Sequence, residues 1–430
     1  MLTGMVLVPL NSTMIAVGLY AIARQLHLSV ASVVWVVAAY LIAMAVVQPL
    51  GGKAGDVYGH RRLFLGGALV FLLGSILGAG AGSLPTLIVA RCLQALGAGA
   101  TATNGSAILR RTYAATLSQV LGNVGVVQSL GAAVGPLLGS ILIAHFGWPS
   151  IFWINLPVLA MTLIWGFRVL PQDTPRRTRP PLDVSGAVGL GAILVSATLA
   201  LKDLATWAWL LIPAALAAAG FVRHERAAAD PVVSLPLFRR PGFAAANGSI
   251  LLANGFMYTL LLWTPLFLRA RHVPLTTVGS ILLGFSLMSS AAAFGGSRLL
   301  SRGWISRGAL VRVAFGVDAF AIALALGLPA GAHLGSDVAV LLAAGLGSGL
   351  GTVAMQATAL MAADRDQAGT ASGVYSTSRY LGSIAASAAL AWLVPRPALY
   401  LLVLGVVALA GIILSFAYKR PGPAARALSA

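Results

Sequence analysis

The chain is divided from end to end into apolar runs of roughly 20 residues, the length a helix needs to cross a lipid bilayer, and the connections between them are mostly short. Fourteen such runs begin near residues 4, 31, 63, 85, 119, 150, 183, 206, 243, 276, 307, 336, 368 and 397. Backbone surrounded by hydrocarbon must satisfy its own hydrogen bonds, so runs of this length fold as helices. The expected class is therefore an all-α integral membrane protein. With 59% of residues hydrophobic, 9% charged and a mean hydropathy of +0.91, the composition lies outside the range of water-soluble domains.

A net charge of +18 would suggest a nucleic-acid partner in a soluble protein, but here it is tested first against topology. With the N-terminus in the cytoplasm, 21 of the 28 Lys and Arg residues fall in cytoplasmic segments and five outside; Arg91 and Arg379 fall within helices. That asymmetry removes the nucleic-acid reading and predicts an even number of spans, with both ends cytoplasmic. Cys92 is alone, which excludes an internal disulfide and a cysteine-based metal site. The start, MLTGMVLVPL, has no basic n-region, so a cleavable signal peptide is not expected. The basic, proline-rich stretch PQDTPRRTRPPL at 171–182 divides the helices six, two and six. Expected boundaries are 1–170 and 241–420 for the two bundles, 171–240 for the linkers and inserted helix pair, and 421–430 for a cytoplasmic tail.

Two apolar runs are joined by GGKAGDVYGHRR, residues 51–62. It reads as a tight turn: its glycines permit close backbone approach, Asp56 is an acceptor for a helix N-terminus, and Arg61 and Arg62 suit an anionic lipid face. Gly52, Asp56, Gly59, Arg61 and Arg62 match the pattern G-x-x-x-D-x-x-G-x-R-R, which resembles the signature loop of the major facilitator superfamily. The segment GGSRLLSRGWISRG at 295–308 echoes it, with Ser301 in place of the acid.

Further motifs extend the resemblance across nearly the whole chain. In LIVARCLQALGAGATATNG, Arg91 and Gln94 share one helix face and resemble the superfamily's R-x-x-Q-G-x-G motif, with Ala95 in place of the first glycine. An arginine at that depth is costly and is expected to face the bundle interior in a functional role, the alternative being a side chain that snorkels or pairs with backbone carbonyls. Gly131, Gly135, Pro136 and Gly139 resemble the G-x-x-x-G-P-x-x-G motif of the antiporter branch; as a small-residue stripe they also read simply as helix packing. GWPSIFWINLPV and DQAGTASGVYSTSRYLG are similar to segments of the fourteen-span drug:proton antiporter family, which implies a cavity-lining role for Arg379. The first run departs from that family's pattern: Asn11 stands where the acid is usual, Ala16 replaces asparagine and Tyr20 replaces proline, while Thr13 is retained. Asparagine cannot exchange a proton near neutral pH.

Asp318 is the one acid deep within a run, and it suits either proton coupling or a structural bond. Phe256, Tyr258 and Trp263 are aromatic candidates for stacking a lipophilic substrate, and also ordinary packing residues. Trp148, Trp153, Trp207, Trp209 and Trp304 are expected as interfacial anchors, His145 and His333 as interfacial residues, and Asp364 and Asp366 as helix caps. No G-x-x-x-x-G-K-[ST] loop, metal-ligand cluster or nucleophile-base set is visible. The resemblance implies a multi-pass transporter in a bacterial cytoplasmic membrane, exporting small lipophilic compounds by alternating access. Its partners would be the substrate and the bilayer, with no cofactor and a proton gradient as energy source. A carrier of an anionic metabolite without proton antiport is the alternative, suited by the interior arginines. An enzyme or a sensor fits less well, because acids and histidines are sparse and hydrophilic stretches are short.

Overall fold

The computed structural model describes residues 2–113, 117–173, 184–202, 208–227, 235–327, 333–363, 368–394 and 396–418. Among these residues there are helices and no strands. The first six long helices are α1 (Leu2–Gln25), α2 (Trp35–Tyr58), α3 (His60–Ala79), α4 (Leu84–Thr112), α5 (Leu117–Phe146) and α6 (Asn155–Val169). A pair follows, α7 (Val184–Lys202) and α8 (Leu211–Ala227). Then come α9 (Pro241–Ala270), α10 (Leu275–Ser301), α11 (Arg307–Gly327), α12 (Leu334–Leu350, continued by Thr352–Met361), α13 (Ala368–Leu393) and α14 (Pro397–Ser415).

Every expected run therefore contains a helix starting within a few residues of the expected position. By length and composition, 11 helices among the described residues are apolar enough to cross a membrane. The other three are α7, whose apolar stretch Ser185–Ala200 is short, α8, which ends in RHERA, and α13, which is rich in Ser and Thr. On α14, Leu402, Val406, Leu409 and Ile413 form an exposed stripe at helical spacing, as a surface solvated by lipid requires.

Contacts divide the chain into two units. Unit 1 holds Met1–Val232, Tyr258–Ser286 and Ser383–Pro395. Its helices meet backbone to backbone. A Cβ on Gly131 would lie 3.1 Å from the Val6 carbonyl oxygen, one on Gly135 3.0 Å from that of Leu10, and one on Gly139 3.2 Å from that of Met14. The stripe on α5 thus steps along α1 turn for turn, the close approach that small residues at four-residue spacing allow. Pro136 lies buried within α5 beside this seam, and its carbonyl meets Gly279 of α10. Gly67, Gly74 and Gly97 bring α3 and α4 together in the same way. α7 and α8 pack on each other, and α7 rests on α2.

Unit 2 holds Val233–Met257, Leu287–Gly382 and Arg396–Ala430. α11 is its central helix, packed on α12 and α14, and the Phe315 ring sits where a Cβ on Gly411 would be. Phe243, Met355, Tyr375 and Tyr418 complete this core. Asn254 Nδ2 donates to the Arg379 carbonyl (2.9 Å), fixing α9 against α13.

The segment 51–62 corrects the expected turn. α2 continues to Tyr58, α3 starts at His60, and only Gly59 breaks the path, with φ +102° and ψ +132°. Helical hydrogen bonding does not stop where hydropathy falls, so most of the polar segment stays helical, and a residue with no Cβ supplies the reversal. In the echoing segment the positive φ falls at Gly303. Trp148 also differs from its expected interfacial role: it is buried, edge-on to Phe152. Trp153, Trp209 and Trp304 are exposed, while Trp207, Asp364 and Asp366 lie outside the described residues.

Candidate functional site

Ser83 caps α4 through its hydroxyl, which accepts from the Thr86 N–H at 3.4 Å, and Pro85 follows in the first turn. Two turns further on lies Arg91, only 1% exposed. Its Nε donates to the Val36 carbonyl (3.1 Å), and Nη1 donates to Asn11 Oδ1 and to Gln94 Oε1 (2.7 Å). The guanidinium lies 4.1 Å over the Tyr40 ring. Gln94 Nε2 donates to Ser75 Oγ (2.9 Å), which also accepts from Asn155 Nδ2 at 3.3 Å. One polar chain thus ties α1, α2, α3, α4 and α6 together.

All of Arg91's hydrogen-bond acceptors are neutral. Burying an ion costs several kcal/mol; hydrogen bonds to a charged donor return about 1.5–3 kcal/mol each, and a desolvated cation–π contact about 2. Arg91 Nη2 and Asn155 Oδ1 remain buried without a partner, a donor at one end of the chain and an acceptor at the other.

Thr13 faces α5 at Gly135, and its hydroxyl returns to the carbonyls of Pro9 (3.1 Å) and Leu10 (3.2 Å). Ser12 and Tyr258 share a hydrogen bond of 2.7 Å. Tyr20, one of the three departures from the family pattern, is covered by the Arg269 guanidinium 5.3 Å from its ring. Trp263 stacks on Phe267 at 4.2 Å, and Phe256 is fully enclosed.

At the Gly59 turn, the Arg61 and Arg62 backbone N–H groups donate to Asp173 Oδ1 (2.9 Å) and Oδ2 (3.1 Å). Asp173, just beyond α6, thus caps the start of α3, where carboxylate charge is favoured by the helix dipole. Asp56 Oδ1 lies 3.4 Å from His60 Nε2. His60 Nδ1 bonds Asn104 Oδ1 (2.8 Å), and Asn104 Nδ2 donates to the Gly51 carbonyl (2.9 Å), locking the turn onto α4. Gly52 has open space around its Cβ position.

Asp318 belongs to unit 2 and is 1% exposed. Its carboxyl lies against Gly347 of α12, and Oδ1 is buried without a partner. Arg379 is exposed, unlike Arg91, with its guanidinium 5.3 Å from the Tyr380 ring. No group of three or more potential metal ligands occurs among the described residues.

Residues 1–387 match the family model described as Major Facilitator Superfamily. The chain belongs to that superfamily. It is 37% identical to the uncharacterized MFS-type transporter YvkA of Bacillus subtilis, over 97% of this chain and 95% of that protein. It is 32% identical to the cephamycin export protein CmcT of Amycolatopsis lactamdurans, over 88% and 81% of the two chains. The crystal structure of the human organic anion transporter MFSD10 (TETRAN) superposes with a TM-score of 0.61 at 19% identity, covering 97% of this chain and 96% of that one, which shows the shared fold. This superfamily member is a multi-pass membrane transporter, not an enzyme.

Ser75, Asn155, Tyr40, Asp173, His60 and Asn104 are site residues that motif reading missed. Ser75 and Asn155 are single polar residues inside apolar stretches, and Asp173 is the one acid of a basic linker; each pattern marks the residue without naming its partner.

Proposed function

We propose that this protein exports small lipophilic compounds from the cytoplasm by secondary active transport driven by proton exchange. Fourteen spans, as two six-helix bundles and an inserted pair, would rock about a pocket at mid-membrane, with the Gly59 turn acting as a latch. The observation that carries this reading is the Gly131–Gly135–Gly139 seam. The motif that resembles that of antiporters is seated along the helix bearing Asn11 and Thr13, rather than spread over a lipid-facing surface. The relative named as a cephamycin exporter supports the same direction.

Arg91 favours a second reading. Its neutral acceptors and its buried, unpartnered Nη2 suit an anionic substrate carried without proton antiport, once a change of state uncovers the guanidinium. Proteoliposomes with an imposed pH gradient, loaded with cationic or anionic dyes, separate the two. Gradient-accelerated movement of lipophilic cations supports export by proton exchange. Movement of anions alone, indifferent to the gradient, overturns it in favour of the second reading.

A further inference from the structure

We propose that a groove between α3 and α6, opening at the Gly59 turn, binds one anionic phospholipid. Its phosphate would lie on Arg61 and Arg62, with an acyl chain along the apolar wall. This rests on membrane embedding alone and is independent of substrate, direction and coupling.

The groove encloses about 420 Å³. Arg61, Arg62, Gln172 and Asp173 line its polar end. The Arg62 side chain is exposed and has no partner among the described residues. Arg61 Nη2 donates to the Phe167 carbonyl (2.6 Å), but its Nε is buried without an acceptor. Asp173 faces the same space, with its oxygens occupied by the two backbone N–H groups that it caps. Two guanidinium groups against one engaged carboxylate leave a site that favours an anion, and phosphate oxygens suit the arginine fork.

The remaining wall is apolar. Gly66 and Leu69 follow Arg62 on one face of α3, and Leu163 and Phe167 lie one turn apart on α6. From Arg62 to Leu69 the helix rises ~10 Å. Leu69 and Phe167 are 48% and 61% exposed, and a Cβ on Gly66 would meet nothing within 4 Å, so the floor is open at that point. A soluble anion would use only the rim. A molecule carrying both a phosphate and a hydrocarbon chain uses the rim and the wall together, and the basic surface of a membrane-embedded chain meets such lipids.

Native mass spectrometry of the full chain, released from detergent with equal phosphatidylglycerol and phosphatidylethanolamine, tests the site. Wild type should retain one phosphatidylglycerol preferentially, and millimolar inorganic phosphate should not displace it. Arg62→Gln, which removes the free cation, and Gly66→Leu, which fills the floor, should each reduce retention about tenfold. Equal retention of both lipids, or wild-type retention in either variant, would overturn the proposal. Displacement by phosphate alone would assign the rim to a free anion instead.

Discussion

Asn11→Asp tests whether the Arg91 charge is held by its contact with α1. The substitution puts a carboxylate of nearly equal size where the amide now accepts from Nη1. At a hydrogen-bonding separation of ~3 Å and an effective dielectric constant of ~20, the added Coulomb attraction is ~5 kcal/mol. Dehydrating the new carboxylate costs several kcal/mol, so the two terms nearly cancel and the single variant should unfold close to wild type. The large effect appears in the double-mutant cycle. Arg91→Met in the wild-type background removes a charged-to-neutral hydrogen bond between these residues, ~1.5–3 kcal/mol. In the N11D background the same change strands a buried carboxylate, at ~3–5 kcal/mol. Coupling between positions 11 and 91 should therefore rise by ~2 kcal/mol when position 11 is acidic. Denaturant unfolding of the four purified chains in micelles measures it. A coupling unchanged within ~0.5 kcal/mol would show that residue 11 does not compensate Arg91.

Three further changes probe other parts of the structure. Gly135→Leu drives a side chain into Thr13 and the Leu10 carbonyl; overpacking of ~1–3 kcal/mol should cut the folded fraction seen by size exclusion, and a wild-type profile would deny the α1–α5 seam. Asp173→Ala should cost ~0.5–2 kcal/mol through loss of the α3 cap, read as earlier thermal unfolding, with Asp173→Asn close to wild type. Asp318→Asn should leave the amount of folded protein unchanged and abolish movement driven by a pH gradient. Full gradient-driven turnover in that variant would remove Asp318 from proton coupling.

Hydropathy located helix starts because an apolar run reports the lipid slab directly. It missed the last turns of α2, since Gly51–Tyr58 is polar enough to end the run while its backbone bonds continue. Arg91 and Gln94 were legible as a pair because three residues of helix place them on one face. Their partners Ser75 and Asn155 were not, because each reaches the site through helix rotations that tertiary packing sets. Arg379 shows the same limit: its depth along α13 could be read, but its exposure depends on which way the helix turns. Asp173 was hidden by its basic surroundings, which hold the acid without revealing that it ends in a helix cap.

The seams at Gly97 and Gly139 are shaped by missing carbon, and this makes their tolerance to change one-sided. A contact between two side chains can be retuned by trading bulk across it; here the opposing surface is largely main chain, which has nothing to trim. Descendants of this chain are free to exchange Leu402, Val406 and Ile413 on the lipid side almost at will. New cargo preferences would have to arise by redecorating helices whose spacing is already pinned.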